Sequence, residues 1–471
     1  MPKLQVTLIP FLFHNILQGE KMIKNFSSIL LALITFALVV FFQNCSKDSF
    51  RVRAPNNIDL KTSESENSLQ LPSSDDVKPP DIVSDFANSN FSDTGRIYYV
   101  AKNGSDSSGN GSFTKPWQTI ALAVSKMRAG DTTYVRSGLY EETGVRFNIT
   151  GTNAAPIKLL NYPNEFPVLK GDRSNNSGFE IAKDMGFITI EGFEITSHKT
   201  GIDFDYHAHD IVIRRNWIHH NSPIPNAPEP YPHSGKRHSN GILGVGARII
   251  IDRNRINNNG NFHECNQNPA HCNQDHAMYI HGTNFVITNN LIYGNLSYGV
   301  QVAASYRDSN PDYDRAKNWV IANNTIAYQK HRSAIVFWGT VTNMKVENNI
   351  LYENASSSNV WQGIHFSYSS GSTGVVIRNN LSYSSDSGER PFISTTGDVS
   401  EGVQYKQSGN IVNTQSPLFV NAPSALPASP NFSLTANSPA INKGMFSAEA
   451  QIDFLGRIRN RDAYDLGAIE F

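Results

Sequence analysis

The sequence predicts an all-β protein, a right-handed parallel β-helix solenoid with a short N-terminal capping helix. Three observations carry this: a recurring strand with asparagine at a fixed place, a second recurring strand of alternating polarity, and no helix of useful length between them. The first motif reads Val212-Ile-Arg-Arg-Asn-Trp-Ile218, Ile250-Ile-Asp-Arg-Asn-Arg-Ile256, Val286-Ile-Thr-Asn-Asn-Leu-Ile292, Val320-Ile-Ala-Asn-Asn-Thr-Ile326, Lys345-Val-Glu-Asn-Asn-Ile-Leu351 and Val376-Ile-Arg-Asn-Asn-Leu-Ser382. One column holds Asn216, Asn254, Asn290, Asn324, Asn349 and Asn380, with Phe193 in the corresponding place of Thr189 to Ile195. Steps between these positions run from 23 to 38 residues, as expected of a constant coil with loops of variable length.

The second strand reads Gly201-Ile-Asp-Phe204, Gly241-Ile-Leu-Gly244, Ala277-Met-Tyr-Ile280, Gly299-Val-Gln-Val302, Ala334-Ile-Val-Phe337 and Gly363-Ile-His-Phe366. Alternation buries one face of each strand and exposes the other. Without intervening helices an alternating β/α fold is excluded, and strands of like sequence stack in parallel. The asparagines read as structural: at a tight bend Asn tolerates left-handed backbone angles, and stacked amides bond along the axis.

The ends read as caps. Pro116 to Gly130 has helical spacing of apolar residues and a glycine stop, suited to covering the open end of the solenoid. Leu434 to Gly444 and Asp453 to Phe471 are expected to close the other end.

Before this body lie two other regions. Lys21 and Lys24 precede an apolar run from Ile29 to Phe42, too short to span a bilayer comfortably and suited to an export signal, with Met22 as an alternative start. Phe42-Gln-Asn-Cys45 resembles the lipobox of bacterial lipoproteins, which implies lipidation at Cys45 and attachment to a membrane through that anchor alone. Residues 46–93 are rich in Ser, Asp, Asn, Lys and Pro and read as a flexible tether. The expected organisation is therefore a signal over 1–45, a tether over 46–93 and a β-helix domain over 94–471. Of the three cysteines, Cys265 and Cys272 remain, with six residues between them, as a pair able to close a loop in an oxidising compartment. A net charge of −1 gives no electrostatic footprint for nucleic acid. A monomer is expected.

Tyr98-Tyr-Val-Ala-Lys-Asn-Gly-Ser-Asp106, Pro116-Trp-Gln-Thr-Ile120 and Gly130-Asp-Thr-Thr-Tyr-Val-Arg-Ser-Gly-Leu-Tyr140 resemble the opening of pectate-lyase-like β-helix proteins, especially those around family 9 polysaccharide lyases. Ser438 to Gly444 with Asp465 to Glu470 is similar to the tail of many secreted bacterial β-helix proteins. The resemblance covers roughly residues 96–471. It implies cleavage of acidic polysaccharide by β-elimination, with calcium on an Asp cluster and a Lys base. The repeats show neither a paired-Asp cluster of that kind nor a Lys on an exposed strand position of the middle coils, so no catalytic residue carries over.

Eleven of the 14 histidines lie between His198 and His281, beside insertions over 221–240 and 258–274. Irregular loops on a rigid solenoid are where binding residues concentrate. Reading the exposed strand positions coil by coil gives Asp203 and Asp205, Leu243, Tyr279 and His281, Gln301, Val336 and Trp338, then His365; just before the strands lie His238, Asp275, His276, Arg332 and Trp361. Coils about 4.8 Å apart allow His238, Asp275, His276, Tyr279 and Arg332 to share one groove. That set supplies a base, an acid and a cation, which uronate elimination requires. His281, Gln301, Trp338, Trp361 and His365 are then candidate sugar contacts. Asp203 and Asp205 are candidate calcium ligands, although calcium takes about 6–8 oxygens. Two classes of function follow: an exported polysaccharide lyase or hydrolase, or a non-catalytic glycan-binding or structural envelope protein.

Overall fold

The computed structural model describes residues 95–173, 176–222, 239–267, 273–304, 308–355, 362–386 and 391–471. The expected signal, tether, Cys45, His238, Cys272 and Trp361 lie outside them. The described chain is a right-handed parallel β-helix. Every pairing between successive coils is parallel, as in Ile242↔Met278, Met278↔Val300, Val300↔Ile335 and Ile335↔Ile364. A separate ten-stranded sheet of short strands runs from Gly138–Tyr140 to Ile411–Val412 and forms another face. The strands Ile202–Arg214, Ile242–Asp252 and Met278–Thr288 run through the bend between the two remaining faces.

Alternation fills the interior with stacked rows: Ile202, Ile242, Met278, Val300, Ile335 and Ile364 are all fully buried. Each such side chain contributes about 1.5–3 kcal/mol by leaving water. Gly244 sits where the next row is widest, since a Cβ there would stand 2.2 Å from the Phe204 ring. Phe204, Phe285 and Trp319 then continue the stack, with Phe285 and Trp319 parallel at 4.2 Å.

The asparagine column is a hydrogen-bonded ladder. The backbone N–H of each member donates to Oδ1 of the next: Asn216 to Asn254 at 3.0 Å, Asn254 to Asn290 at 2.8 Å, Asn290 to Asn324 at 3.0 Å, and on through Asn349 and Asn380 to Asn410. Each Nδ2 donates to a carbonyl of the preceding coil, as Asn290 does to Ile251 at 2.8 Å. The left-handed residue, however, is the one before: Arg215, Arg253, Asn289, Asn323, Asn348 and Asn379 have φ of 52–59°. That corner turns the chain so the following Asn points inward. The amide, rather than tolerance of the bend, is what the column requires. A second ladder, Asn221–Asn259–Asn295 followed by Gln329–Asn354, serves the next corner and was not foreseen.

The N-terminal helix spans only Ile120–Lys126. Thr119 caps it, and the Glu142 carboxylate accepts from Ile120 N–H at 2.9 Å and Ala121 N–H at 2.8 Å. Its buried Ile120, Ala123 and Val124 join Val100 and Trp117 over the end of the core. The C-terminal stretch follows the flank of the solenoid rather than crossing its end. Asn348 Nδ2 donates to Met445 O, Gly467 N–H to Asn348 O, Ala468 N–H to Thr325 Oγ1, and Arg459 to Asn289. It covers the exposed side of the left-handed corners.

Candidate functional site

The register places Leu243, Tyr279, Gln301, Val336, His365 and Ser394 in one row across successive strands, opposite the core-facing row, although Gln301, Val336, His365 and Ser394 are themselves buried. Ala303, Trp338, Ser367 and Thr396 form the row beside it. A groove of about 600 Å³ opens on these rows and is lined by His276, Tyr279, Gln301, Arg332, Trp338 and Tyr368 together with Asn240, Asn273, Tyr298 and Thr396. Five of the candidates read from the sequence therefore share one cleft.

Tyr279 stands between the inward Met278 and Ile280 and is 36% exposed. Burial of its flank raises the phenol above its ordinary value, so it is protonated at neutral pH and has a proton to donate. His276 lies beneath, stacked on Tyr279 at 5.6 Å and 15°, with Tyr298 on its other side at 5.3 Å. Its Nδ1 accepts from Tyr298 N–H at 3.3 Å, which leaves Nε2 to carry the proton of the neutral ring. Asn240 Oδ1 accepts from His276 N–H at 2.9 Å. The Asn240 Nδ2 is buried and has no hydrogen-bond partner among the described residues, and Asn240 lines the groove.

The insertion after Asn257 orients the cation. Asn273 Oδ1 accepts from Arg332 Nε at 2.9 Å and from Nη2 at 2.5 Å. The same insertion is clamped on the preceding residues, Lys330 over the Phe262 ring at 5.3 Å and His331 Nε2 against Cys265 Sγ at 3.0 Å. Cys265 is disulfide-bonded; its expected partner, Cys272, lies outside the described residues. Trp338, 39% exposed, meets the edge of Tyr368 at 5.8 Å and 68°. Sequence reading missed Asn240, Asn273, Tyr298 and Tyr368, which sit in turns and insertions where no periodicity marks them.

Other candidates fall elsewhere. Asp275 is buried, its oxygens accepting from Ser239 N–H at 2.8 Å and Asn261 N–H at 2.7 Å, so it ties two loops together and is not in the groove. His281 was expected at an exposed position but is buried, because residues 308–316 fold back over it: its ring nitrogens face the Ala303 and Tyr313 carbonyls. His365, also expected outside, is buried with Nδ1 2.9 Å from Ser394 Oγ; burial holds its pKa down to about 4, so it is neutral.

Asp203 and Asp205 lie outside this groove. Burial and the carboxylates of Glu180 and Asp205 push Asp203 up to about 6. Arg146 bonds Glu180 at 3.0 Å and stands 3.9 Å from Asp205, so the positive charge here is already a guanidinium. Among the described residues no group of three or more His, Cys, Asp or Glu is arranged to hold a metal ion. These two aspartates do not fit calcium.

The family model that matches the first half of the solenoid agrees with the fold. Residues 98–275 match the family model of the Pel9A-like right-handed β-helix region, and residues 232–388 match a domain of unknown function, DUF1565. The uncharacterized protein YwoF of Bacillus subtilis is 36% identical over 117 residues, 24% of this chain and 25% of that protein. Pectate lyase PEL9 of Emericella nidulans is 37% identical over 75 residues, 16% of this chain and 18% of that protein. The matched stretches thus span a quarter or less of these relatives. Among solved structures, pectate lyase Pel9A aligns over 80% of this chain and 96% of its own at 17% identity and TM-score 0.47. An alginate lyase from Paenibacillus aligns over 63% and 92% at 15% identity and TM-score 0.41. Over residues 98–275 the chain is similar to the Pel9A-like right-handed β-helix proteins.

Proposed function

We propose that the protein acts on an acidic polysaccharide in the Tyr279 groove, cleaving it by β-elimination. The observation that supports this is the meeting of a cation, a protonated phenol and an exposed aromatic pair in one cleft along the solenoid. Arg332 neutralises the uronate carboxylate, assisted by Asn240 Nδ2, which makes the adjacent carbon-bound proton more acidic. Tyr279, held in its protonated form, delivers a proton to the leaving glycosidic oxygen as the C–O bond breaks and the C=C bond forms, while hydroxide from the solvent in the open groove takes the carbon-bound proton away as water. Trp338 and Gln301 hold the neighbouring sugars, one by stacking and one by hydrogen bonding.

One observation favours a second reading, glycan binding without cleavage. Tyr279 is protonated and His276 Nδ1 is already engaged, so neither offers a lone pair poised to accept the carbon-bound proton.

The full chain, incubated with uronate-containing and neutral polysaccharides, separates these. Rising ultraviolet absorbance, from the double bond that elimination creates, supports the lyase. New reducing ends without absorbance would replace elimination by hydrolysis. Retention on an immobilised acidic glycan with neither signal would establish the binding protein.

Export and anchoring belong to the same proposal, since a long polymer is met outside the cell. Acyl labelling that is lost in Cys45→Ala tests them.

A further inference from the structure

The corner that ends the groove-facing strands forms a column of three left-handed residues: Gly339 with φ 96°, Tyr368 with φ 53° and Gly397 with φ 90°. They are stacked by hydrogen bonds, Gly339 N–H to Ser367 O at 2.8 Å and Tyr368 N–H to Thr396 O at 3.2 Å. The position calls for glycine, because a Cβ on a left-handed backbone is strained. Two coils supply glycine; the middle one supplies a large aromatic residue.

Other left-handed aromatic residues are compensated by packing. Tyr328, with φ 54°, is 4% exposed and donates to Pro423 O. Phe187, with φ 55°, meets His209 edge-on at 5.3 Å. Tyr368 gains less burial than either: the residue is 67% exposed, and among the described residues its ring contact is one edge-on meeting with Trp338. The strained corner is fixed by its neighbour, since the buried Ser369 Oγ lies 2.9 Å from Phe337 O and 2.8 Å from Gly339 O. An aromatic residue kept in an unfavourable backbone, exposed and lining a groove, points to function rather than stability.

We infer that Tyr368 and Trp338 form a sugar-stacking subsite for a monosaccharide beyond the one at Tyr279; this rests on the groove being a polysaccharide site. The two rings meet at 68° and make an inside corner that takes the apolar C–H face of a pyranose against one ring and its edge against the other. Tyr279 and Tyr368 belong to strands three steps apart, through Gln301, Val336 and His365, or about 14 Å along the axis. A ligand that touches both is an oligosaccharide, so the subsite sets a chain-length preference.

The test compares the full chain with Tyr368→Gly and Tyr368→Phe, titrating each with disaccharides and hexasaccharides of the polysaccharide that the native protein retains. Tyr368→Gly should weaken hexasaccharide binding by about three- to tenfold, leave disaccharide binding unchanged and not lower the melting temperature; Tyr368→Phe should bind as the native protein does. Equal hexasaccharide binding by native protein and Tyr368→Gly, or equal losses for both ligands, overturns the inference while the groove reading stands. If the native protein retains no polysaccharide, the groove reading fails and the subsite falls with it.

Discussion

Asn273 Oδ1 receives two of the Arg332 guanidinium donors, at 2.9 and 2.5 Å, and so aims the groove's cation from an insertion almost sixty residues earlier in the chain. The arrangement separates holding the charge from supplying it. Arg332→Ala should weaken binding of an acidic glycan by about ten- to a hundredfold, the worth of a charge-assisted hydrogen bond. Asn273→Ala leaves the charge in place but unaimed and should cost less. Titration with an acidic and a neutral oligosaccharide checks both, with the neutral ligand nearly indifferent.

Tyr279→Phe removes one oxygen and keeps the stack on His276. Loss of a positioned acid should lower the elimination rate by about 10²–10⁴, with little change in melting temperature or in retention on the glycan. A rate within about twofold of native would remove the phenol from the chemistry.

The asparagine ladder predicts a gradient of stability. Asn290→Ala leaves the Asn254 N–H and the Ile251 carbonyl without partners inside the core, at about 1–3 kcal/mol for each buried group stranded. Asn410 ends the ladder and is only partly buried, so Asn410→Ala should cost clearly less. Denaturant midpoints of the two variants decide it; equal losses would mean that the amides merely fill space.

Asp203 gives a pH dependence with a definite sign. Its folded pKa, pushed up to about 6 chiefly by burial, exceeds the ordinary aspartate value of 3.8. Between these values the folded state holds more protons, so this residue's contribution to stability falls as pH rises from about 4 to 6. Asp203→Asn removes that fall. The variant's melting temperature relative to native should rise across this range and level off above it. A difference independent of pH would show that Asp203 ionises as freely folded as unfolded.

The fold was legible because its determinants repeat. Asn216 to Asn380 and the alternating strands mark each coil, and register then placed Tyr279, Gln301 and Trp338 together in the groove. What was not legible depended on chain arriving from another coil. His281 alternates like an exposed residue, yet residues 308–316 cover it. Arg332 was noticed, but its partner Asn273 lies in an insertion without periodicity. Tyr368 left a trace, a tyrosine between Gly339 and Gly397, visible only once those corners are aligned.

The ladder has a further consequence for how such a groove changes over generations. Because each amide engages its own coil and the coils directly above and below, a coil is an interchangeable rung, and the recognition surface lengthens or shortens in whole rungs of about 4.8 Å. Loops at the corners, by contrast, vary freely in length, as the steps of 25 to 38 residues between consecutive ladder members attest. Reach along a polymer is thus digital, whereas the decoration that selects the polymer is continuous.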